Sequence, residues 1–492
     1  MRLSLKTALL ILCCISVSIL FSCKSQNPTV REASPETAIK PAEPPIAVKQ
    51  AEPKPEEPKP FTRVSFAERL EKLLSAGKND EAIALFDTIP ESDASDFSIK
   101  LLKLSILISA NKLEAALALA NEIEAANPKN PEILYTQAVL ASARKDINGR
   151  AKYLNKVLEV QPNNSQAMTA LGLDFFARKN YPTAKLWFLK SLASDGENIE
   201  TLLALAKVYY MQNELDKAGD TLNLAIGKDP SFSDLWAERA RVKSETNNLG
   251  GAIEDIKKAV DLDPNIYSHW IDYGTYLISM AKKEDARKAF TEAVRVAPEE
   301  YLAYIYRAGL NDDLGLMDEA IADYSAITRL YPQYYYAFES LGILLWGKGD
   351  FTGSREAFTE ALKYNPKNTS YGLMITLCYY RENKGDIAKT FMSKYITTLD
   401  RTKTEYFLCR MFADRSGDAD VLIKVMKEKD VNIRNRMLFY SAMYYELFQS
   451  TKIAQKYYYE VISIPAPNFF EYRLSQWAIK DLEKMEDKPT QG

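Results

Sequence analysis

A single histidine, His269, occurs in the 492 residues, beside Trp270 at the start of a periodic segment. Zinc-type sites and nucleophile–base dyads need several histidine, cysteine or carboxylate side chains converging on one point. One imidazole without a partner set reads instead as a polar residue at a helix start. The adjacent acids Asp312-Asp313 are of the type used in general acid–base catalysis, but neighbouring acids of this kind usually line a solvated or ligand-facing surface. No glycine-rich phosphate loop is present, since Gly172, Gly274 and Gly342 recur in one register. Cys378 and Cys409 are open to two readings, a bridge in an exported protein or two small hydrophobes in a core. The residues therefore imply no catalytic group, no metal and no cofactor, and leave recognition by a surface as the chemistry to explain.

The elements that must position such a surface are set by a period. Pro128, Pro162, Pro230, Pro264, Pro298, Pro332 and Pro366 lie 34 residues apart, or 68 where one frame lacks the proline. Proline has no amide hydrogen and clashes with the preceding turn, so it marks a helix end. In the frame 165–198, Met168, Gly172 and Phe175 form a stripe at i, i+4, i+7, and Ala184, Phe188 and Ser191 form a second. That spacing predicts two amphipathic helices, A and B, neither able to stand alone. Frame 267–300 repeats the pattern with Trp270, Tyr273, Gly274, Ala286, Phe290, Ala293 and Pro298. Small residues at frame positions 8 and 20 let the two helix backbones approach. Departures are few: Arg150 replaces the small residue at position 20 of its frame, Ser354 sits at that position in frame 335, Asn311 stands where an aromatic residue is usual, and Gly196 where a proline is. Beyond residue 402 the phase slips, because Ala442, Tyr445, Ala454, Tyr458 and Val461 fit a frame starting near 435 rather than 437.

This pattern resembles the tetratricopeptide repeat (TPR), a helix-turn-helix unit stacked into a solenoid. The resemblance implies an all-α fold, a right-handed superhelical solenoid, over 63–402, with about ten repeats of which the eight from 97 to 368 are strong. Degenerate TPR-like helices are expected over 403–485 and a disordered tail over 486–492. It also implies a partner site on the concave face, lined by helix A at positions 2, 5, 9, 12 and 13. Those positions hold Tyr135, Phe176, Tyr210 and Met211 in early frames, and Lys207, Arg241, Glu245, Asp312 and Asp313 towards the middle. Tyr336, Trp346, Tyr380 and Arg381 follow in later frames. Aromatic residues flanking a charged centre suit an extended peptide or a helix with apolar anchors at its ends. The lysine and asparagine set with which some TPR proteins clamp a chaperone's C-terminal carboxylate is absent from this register.

The N-terminus carries Arg2 and Lys6 before an apolar run from Ala8 to Phe21, too short for a durable membrane span. It predicts an export signal over 1–22. Leu20-Phe21-Ser22-Cys23 resembles the lipobox of bacterial lipoproteins, which implies cleavage before Cys23, diacylglycerol on its sulfur and an amide-linked chain. Each buried methylene contributes about 0.8 kcal/mol, so several chains would anchor the protein firmly. Residues 24–62 hold nine prolines and six charges of each sign, a composition that cannot build a core and reads, with the lipidated Cys23, as a disordered tether. The formal charge is −3, or −5 without Arg2 and Lys6, and no long basic run occurs. Nucleic acid is therefore a poor partner.

The expectation is a lipid-anchored TPR scaffold of the bacterial cell envelope, on the inner or outer membrane, with its solenoid in the periplasm and a protein or peptide partner. TPR lipoproteins of this kind assist outer-membrane assembly, pilus biogenesis or cell-wall synthases. The alternative is an auxiliary component of a periplasmic solute transport system, holding a small ligand or a solute-binding protein.

Overall fold

The computed structural model describes residues 61–464 and 469–486. The expected export signal, Cys23, the Pro-rich segment as far as Pro60 and the residues from 487 lie outside the described residues. Among the described residues there are 26 α-helices and no strand, an all-α solenoid built from consecutive helix-turn-helix hairpins. No helix among them is long and apolar enough to cross a membrane. The chain divides into two compact units, one ending at Thr221 and one starting at Leu222.

The first unit contains α1 (Arg63–Ser75), α2 (Asn79–Leu85), α3 (Glu91–Ala94), α4 (Phe97–Ser109), α5 (Leu113–Ala126), α6 (Pro131–Ala143), α7 (Ile147–Val160), α8 (Ser165–Ala177), α9 (Tyr181–Ser194) and α10 (Ile199–Met211). The boundary falls within α11 (Leu215–Lys228). The second unit continues with α12 (Ser233–Glu245), α13 (Leu249–Leu262), α14 (Tyr267–Ser279), α15 (Lys283–Val296), α16 (Tyr301–Asp313), α17 (Met317–Leu330), α18 (Tyr336–Lys348), α19 (Phe351–Tyr364), α20 (Thr369–Arg381) and α21 (Gly385–Tyr395). It closes with α22 (Thr404–Asp414), α23 (Asp418–Lys427), α24 (Val431–Phe448), α25 (Thr451–Ser463) and α26 (Phe470–Glu486).

Three local devices explain why the chain turns where it does. A left-handed residue recurs every 34 positions, at Gly77, Asn111, Lys145, Lys179, Asn213, Asn247, Ala281, Gly315, Gly349, Asn383 and Gly417. The amide after it closes the end of helix A, as Asp146 N donates to Ala141 O at 2.8 Å and Lys384 N to Tyr379 O at 2.8 Å. This satisfies carbonyls that a helix end leaves orphaned. Second, Asn130, Asn164, Asn198 and Asn368 cap the start of the next helix A with side-chain oxygens, a role suited to a short amide. Third, the register proline is an acceptor as well as a stop. Trp236 Nε1 donates to Pro230 O at 2.9 Å, Trp270 Nε1 to Pro264 O at 2.9 Å and Tyr304 Oη to Pro298 O at 3.2 Å. An aromatic residue at position 4 thus ties each of these hairpins to the proline that ends the one before.

Inside the hairpin, position 8 is matched to position 24. A methyl group on Gly172 would stand 2.4 Å from the Phe188 ring, on Gly274 2.5 Å from Phe290, and on Gly342 2.9 Å from Phe358. With Ala138 and Ala240 at position 8, position 24 is the smaller Leu154 or Ile256, and all four are buried, whereas in frame 301 Ala308 goes with the larger Tyr324. Arg150 shows how an exception is absorbed. Its guanidinium leaves the seam, pairs with Asp174 at 3.1 Å and donates to Ser142 Oγ at 2.8 Å. The slip after residue 402 has a simple cause. Gly417 keeps the 34-residue turn register, but the following helix α23 has 10 residues where the regular second helix has 14, so α24 starts early.

Cys378 and Cys409 are both free and buried. Burial pushes the Cys378 thiol up to about 12 and raises that of Cys409 as well, which keeps both as unreactive packing residues.

Candidate partner-binding surface on the first helices of the repeats

The resemblance places recognition on helix A, through the side chains at positions 2, 5, 9, 12 and 13. In the first unit, Tyr135 is half-buried among Leu134, Ala138 and Leu171, and desolvation raises its phenol. Phe176 is half-buried against Tyr181, with ring centroids 5.6 Å apart. Lys207 and Tyr210 are half-buried, while Met211 is 49 % exposed. This part of the face combines half-buried aromatic rings with the Lys207 side chain and one exposed thioether.

In the second unit, Arg241 bridges Glu238 at 3.1 Å and Asp272 at 3.3 Å, and Glu245 is exposed. Asp313 is exposed and pairs with Lys283 at 2.8 Å. Tyr336, 53 % exposed, stacks on Tyr335 with centroids 4.2 Å apart. His269 is not a surface group. It is buried at the start of α14, with Nε2 3.1 Å from Asp234 Oδ1 and Nδ1 without a hydrogen-bond partner.

The remaining candidates are covered by the chain itself. Tyr380 lies in the core, donates through Oη to Phe412 O at 3.0 Å and meets the Phe448 ring edge-on at 4.9 Å. Arg381 is salt-bridged to Glu446 of α24 and lies over the Trp346 ring. Trp346 is half-buried with an edge contact to Phe351 at 5.0 Å. Asp312 is held by both terminal nitrogens of Arg473 from α26, at 2.6 and 2.7 Å. The acidic pair is therefore two separate ion pairs, one of them with a residue 161 positions later. Helix α20 accordingly reads as buried nearly all round, with ten of its 13 residues buried, as expected of a helix packed on both sides.

The residues that close this end were not singled out by the repeat pattern. Glu471, on the first turn of α26, is buried and accepts hydrogen bonds from Ser370 Oγ and Tyr440 Oη. Burial raises its pKa, opposed by those hydrogen bonds and by the Arg436 charge. A carboxyl whose folded pKa is raised favours the neutral form, so the stability it confers is full below the ordinary carboxyl range and declines as pH rises through the ordinary value towards the raised one. Glu471→Gln keeps an acceptor and cannot ionise. It is expected to raise the melting midpoint of the second unit at pH 8 and to flatten the midpoint's fall between pH 5 and 8. Calorimetry across that range tests this, and an unchanged slope would mean the carboxylate is not desolvated.

Two tetratricopeptide repeat family models match, one over residues 71–131 and 272–335 and one over 233–266 and 335–368, so the chain carries tetratricopeptide repeats. Among curated proteins it is similar to Hsp70-Hsp90 organizing protein 1 of Glycine max, 28 % identical over 111 residues, which is 23 % of this chain and 19 % of that one. It is also similar to Hsp70-Hsp90 organizing protein 3 of Arabidopsis thaliana, 26 % identical over 103 residues, 21 % of this chain and 18 % of the relative. The chain thus spans about a fifth of the length of the curated relatives it matches. Similar solved structures include PilF of Pseudomonas aeruginosa, at 20 % identity and TM-score 0.38 over 41 % of this chain and 92 % of that one. A tetratricopeptide repeat protein of Parabacteroides merdae ATCC 43184 has 19 % identity and TM-score 0.40 over 51 % and 98 %.

Proposed function

We propose that the protein is an exported, lipid-anchored scaffold that binds a protein or peptide partner on the helix-A face of its repeats and thereby organises a cell-envelope complex. Tetratricopeptide repeats serve generally in protein–protein interaction, and the observation that carries the reading here is the mixed character of the helix-A face. Within the first unit Met211 is exposed, and within the second Glu245, Asp313 and Tyr336 are exposed, a combination of apolar anchors and charges suited to a polypeptide ligand. The apolar leader, Cys23 and the proline- and charge-rich stretch that follows support an anchor and a spacer that hold the repeats away from a membrane.

The test is a cross-linked pull-down from envelope membranes using the wild-type chain and Cys23→Ser. Wild type is expected in the membrane fraction with a reproducible protein partner. Cys23→Ser is expected as soluble protein or unprocessed precursor, with the partner recovered from it in detergent extracts. A cleaved Cys23→Ser chain that stays membrane-bound would refute the lipid anchor. Recovery of a transporter or a solute-binding protein in place of assembly or wall-synthesis proteins would favour the transport reading.

A further inference from the structure

Helix α26 presents two stripes. On one, Glu471, Leu474, Ser475 and Leu482 are buried, with the Glu471 carboxylate bonded to Tyr440 of α24. On the other, Phe470, Arg473 and Trp477 recur at i, i+3, i+7 and meet helices of earlier repeats. The Phe470 ring lies 5.8 Å from that of Phe358, Arg473 grips Asp312, and the Trp477 indole covers Gly347 so closely that a methyl group there would stand 2.5 Å from it. Asp312 and Gly347 are positions 12 and 13 of their frames, two of the places assigned to partner recognition. Position 13 elsewhere in the array is serine (Ser75, Ser109, Ser279), alanine (Ala143, Ala177), Met211, Glu245, Asp313 or Arg381, always a residue with a Cβ, so the bare backbone at Gly347 is the feature that admits an indole. The Arg473 guanidinium also lies 4.5 Å from the Trp477 ring, so arginine and tryptophan one turn apart form a single recognition unit.

We propose that the seat made by Asp312, Gly347 and Phe358 is a helix-binding site, and that α26 is its built-in occupant. The partner it fits is an amphipathic helix carrying an arginine followed one turn later by a tryptophan, which competes with α26 for that seat. The inference rests on the reading of the helix-A face as the partner-binding surface and names the ligand chemistry of its second-unit portion. The Arg473–Asp312 pair is exposed enough to exchange with water, at 34 % and 21 % for the two side chains, and pairs of that kind contribute little net stability. Tethering raises the effective concentration of α26 at the seat to the order of millimolar. A competing helix therefore binds in proportion to how often α26 leaves.

Two measurements test this. The first is hydrogen exchange on the wild-type full chain, in which amides of 470–486 are expected to exchange at least about tenfold faster than those of α24, since a displaceable element opens sub-globally. Exchange of α26 as slow as that of α24 would make it a fixed cap and overturn the proposal. The second uses a labelled, end-capped peptide of residues 469–486 as probe. Its Kd for the full chain carrying Arg473→Ala and Trp477→Ala is expected to be at least about tenfold lower than for wild type, because the cis competitor has been weakened. Adding Gly347→Ala, whose methyl would stand 2.5 Å from the incoming indole, is expected to abolish that gain. Equal binding to all three chains, or to none, overturns the site. A partner recovered in the pull-down whose binding ignores these substitutions would leave the scaffold reading standing and sink this one alone.

Discussion

Phe290→Ala is expected to destabilise the second unit by about 3–5 kcal/mol, the usual range for removing a fully buried aromatic ring. Phe290 is fully buried and packs over Gly274, with the ring of Tyr306 stacked at 4.9 Å. The same seam makes a second, less intuitive substitution costly. Gly274→Ala places a methyl 2.5 Å from the ring, and overpacking of this kind costs about 1–3 kcal/mol. The two defects are opposite in sign of volume, so they must couple. Gly274→Ala combined with Phe290→Leu reproduces the pairing found at Ala138 with Leu154, and is expected within about 1 kcal/mol of wild type, well short of the summed costs of Gly274→Ala and Phe290→Leu. Denaturant unfolding of wild type, Gly274→Ala, Phe290→Leu and the double variant measures this, with local exchange in α14 and α15 as the readout, because repeat arrays can unfold in segments. An additive double variant would show that the glycine is not there to admit the ring.

That coupling also shows what the sequence made legible. Period, helix pairing and the small residues at positions 8 and 20 all follow from apolar spacing and proline punctuation, which are local properties repeated often enough to exclude chance. The left-handed turn was equally present in the letters, as Asn111, Asn213, Asn247, Asn383 and glycines in the same register, and was simply a second signal alongside proline. The Arg239–Asp255 and Arg307–Asp323 pairs sit at positions 7 and 23 of two frames and carried a faint periodic signal of their own. What no period could reveal is the closure of the late helix-A face. Asp312 meets Arg473 across 161 residues, and Tyr380 and Arg381 are covered by α24. These contacts join non-equivalent segments once, in the part of the chain where the repeat decays, and so leave no recurrence to read. Position within a frame tells which way a side chain points, and only the tertiary structure tells whether another helix is already there.

The two arginine–aspartate pairs allow a sharper test of what such bridges do, because the surroundings of the two aspartates are alike except in one partner. Each arginine holds its aspartate through Nε and Nη2, at 2.7 and 2.8 Å for Arg239 and at 2.9 and 2.6 Å for Arg307. Each guanidinium also faces an aromatic ring at position 4, Trp236 or Tyr304. Asp255 and Asp323 are both 3 % exposed. Asp255, however, has a second cation, Lys243 at 2.8 Å, whereas Asp323 has only the neutral Asn311 amide at 2.9 Å. Removing the arginine therefore leaves a compensated carboxylate in one hairpin and an uncompensated one in the other. Arg307→Ala is expected to cost about 3–5 kcal/mol, the range for orphaning a buried charge. Arg239→Ala is expected to cost about 1–2 kcal/mol, closer to the loss of hydrogen bonds and of stacking area. Replacing both members, Arg307→Met with Asp323→Leu, is expected to recover most of the larger loss, since an apolar pair of similar volume needs no desolvated charge. Unfolding midpoints of the two single variants and the double variant decide the matter. Equal costs for the single variants would mean that Lys243 does not share the charge, and that the arginines act mainly by covering the aromatic residues that tie successive repeats together.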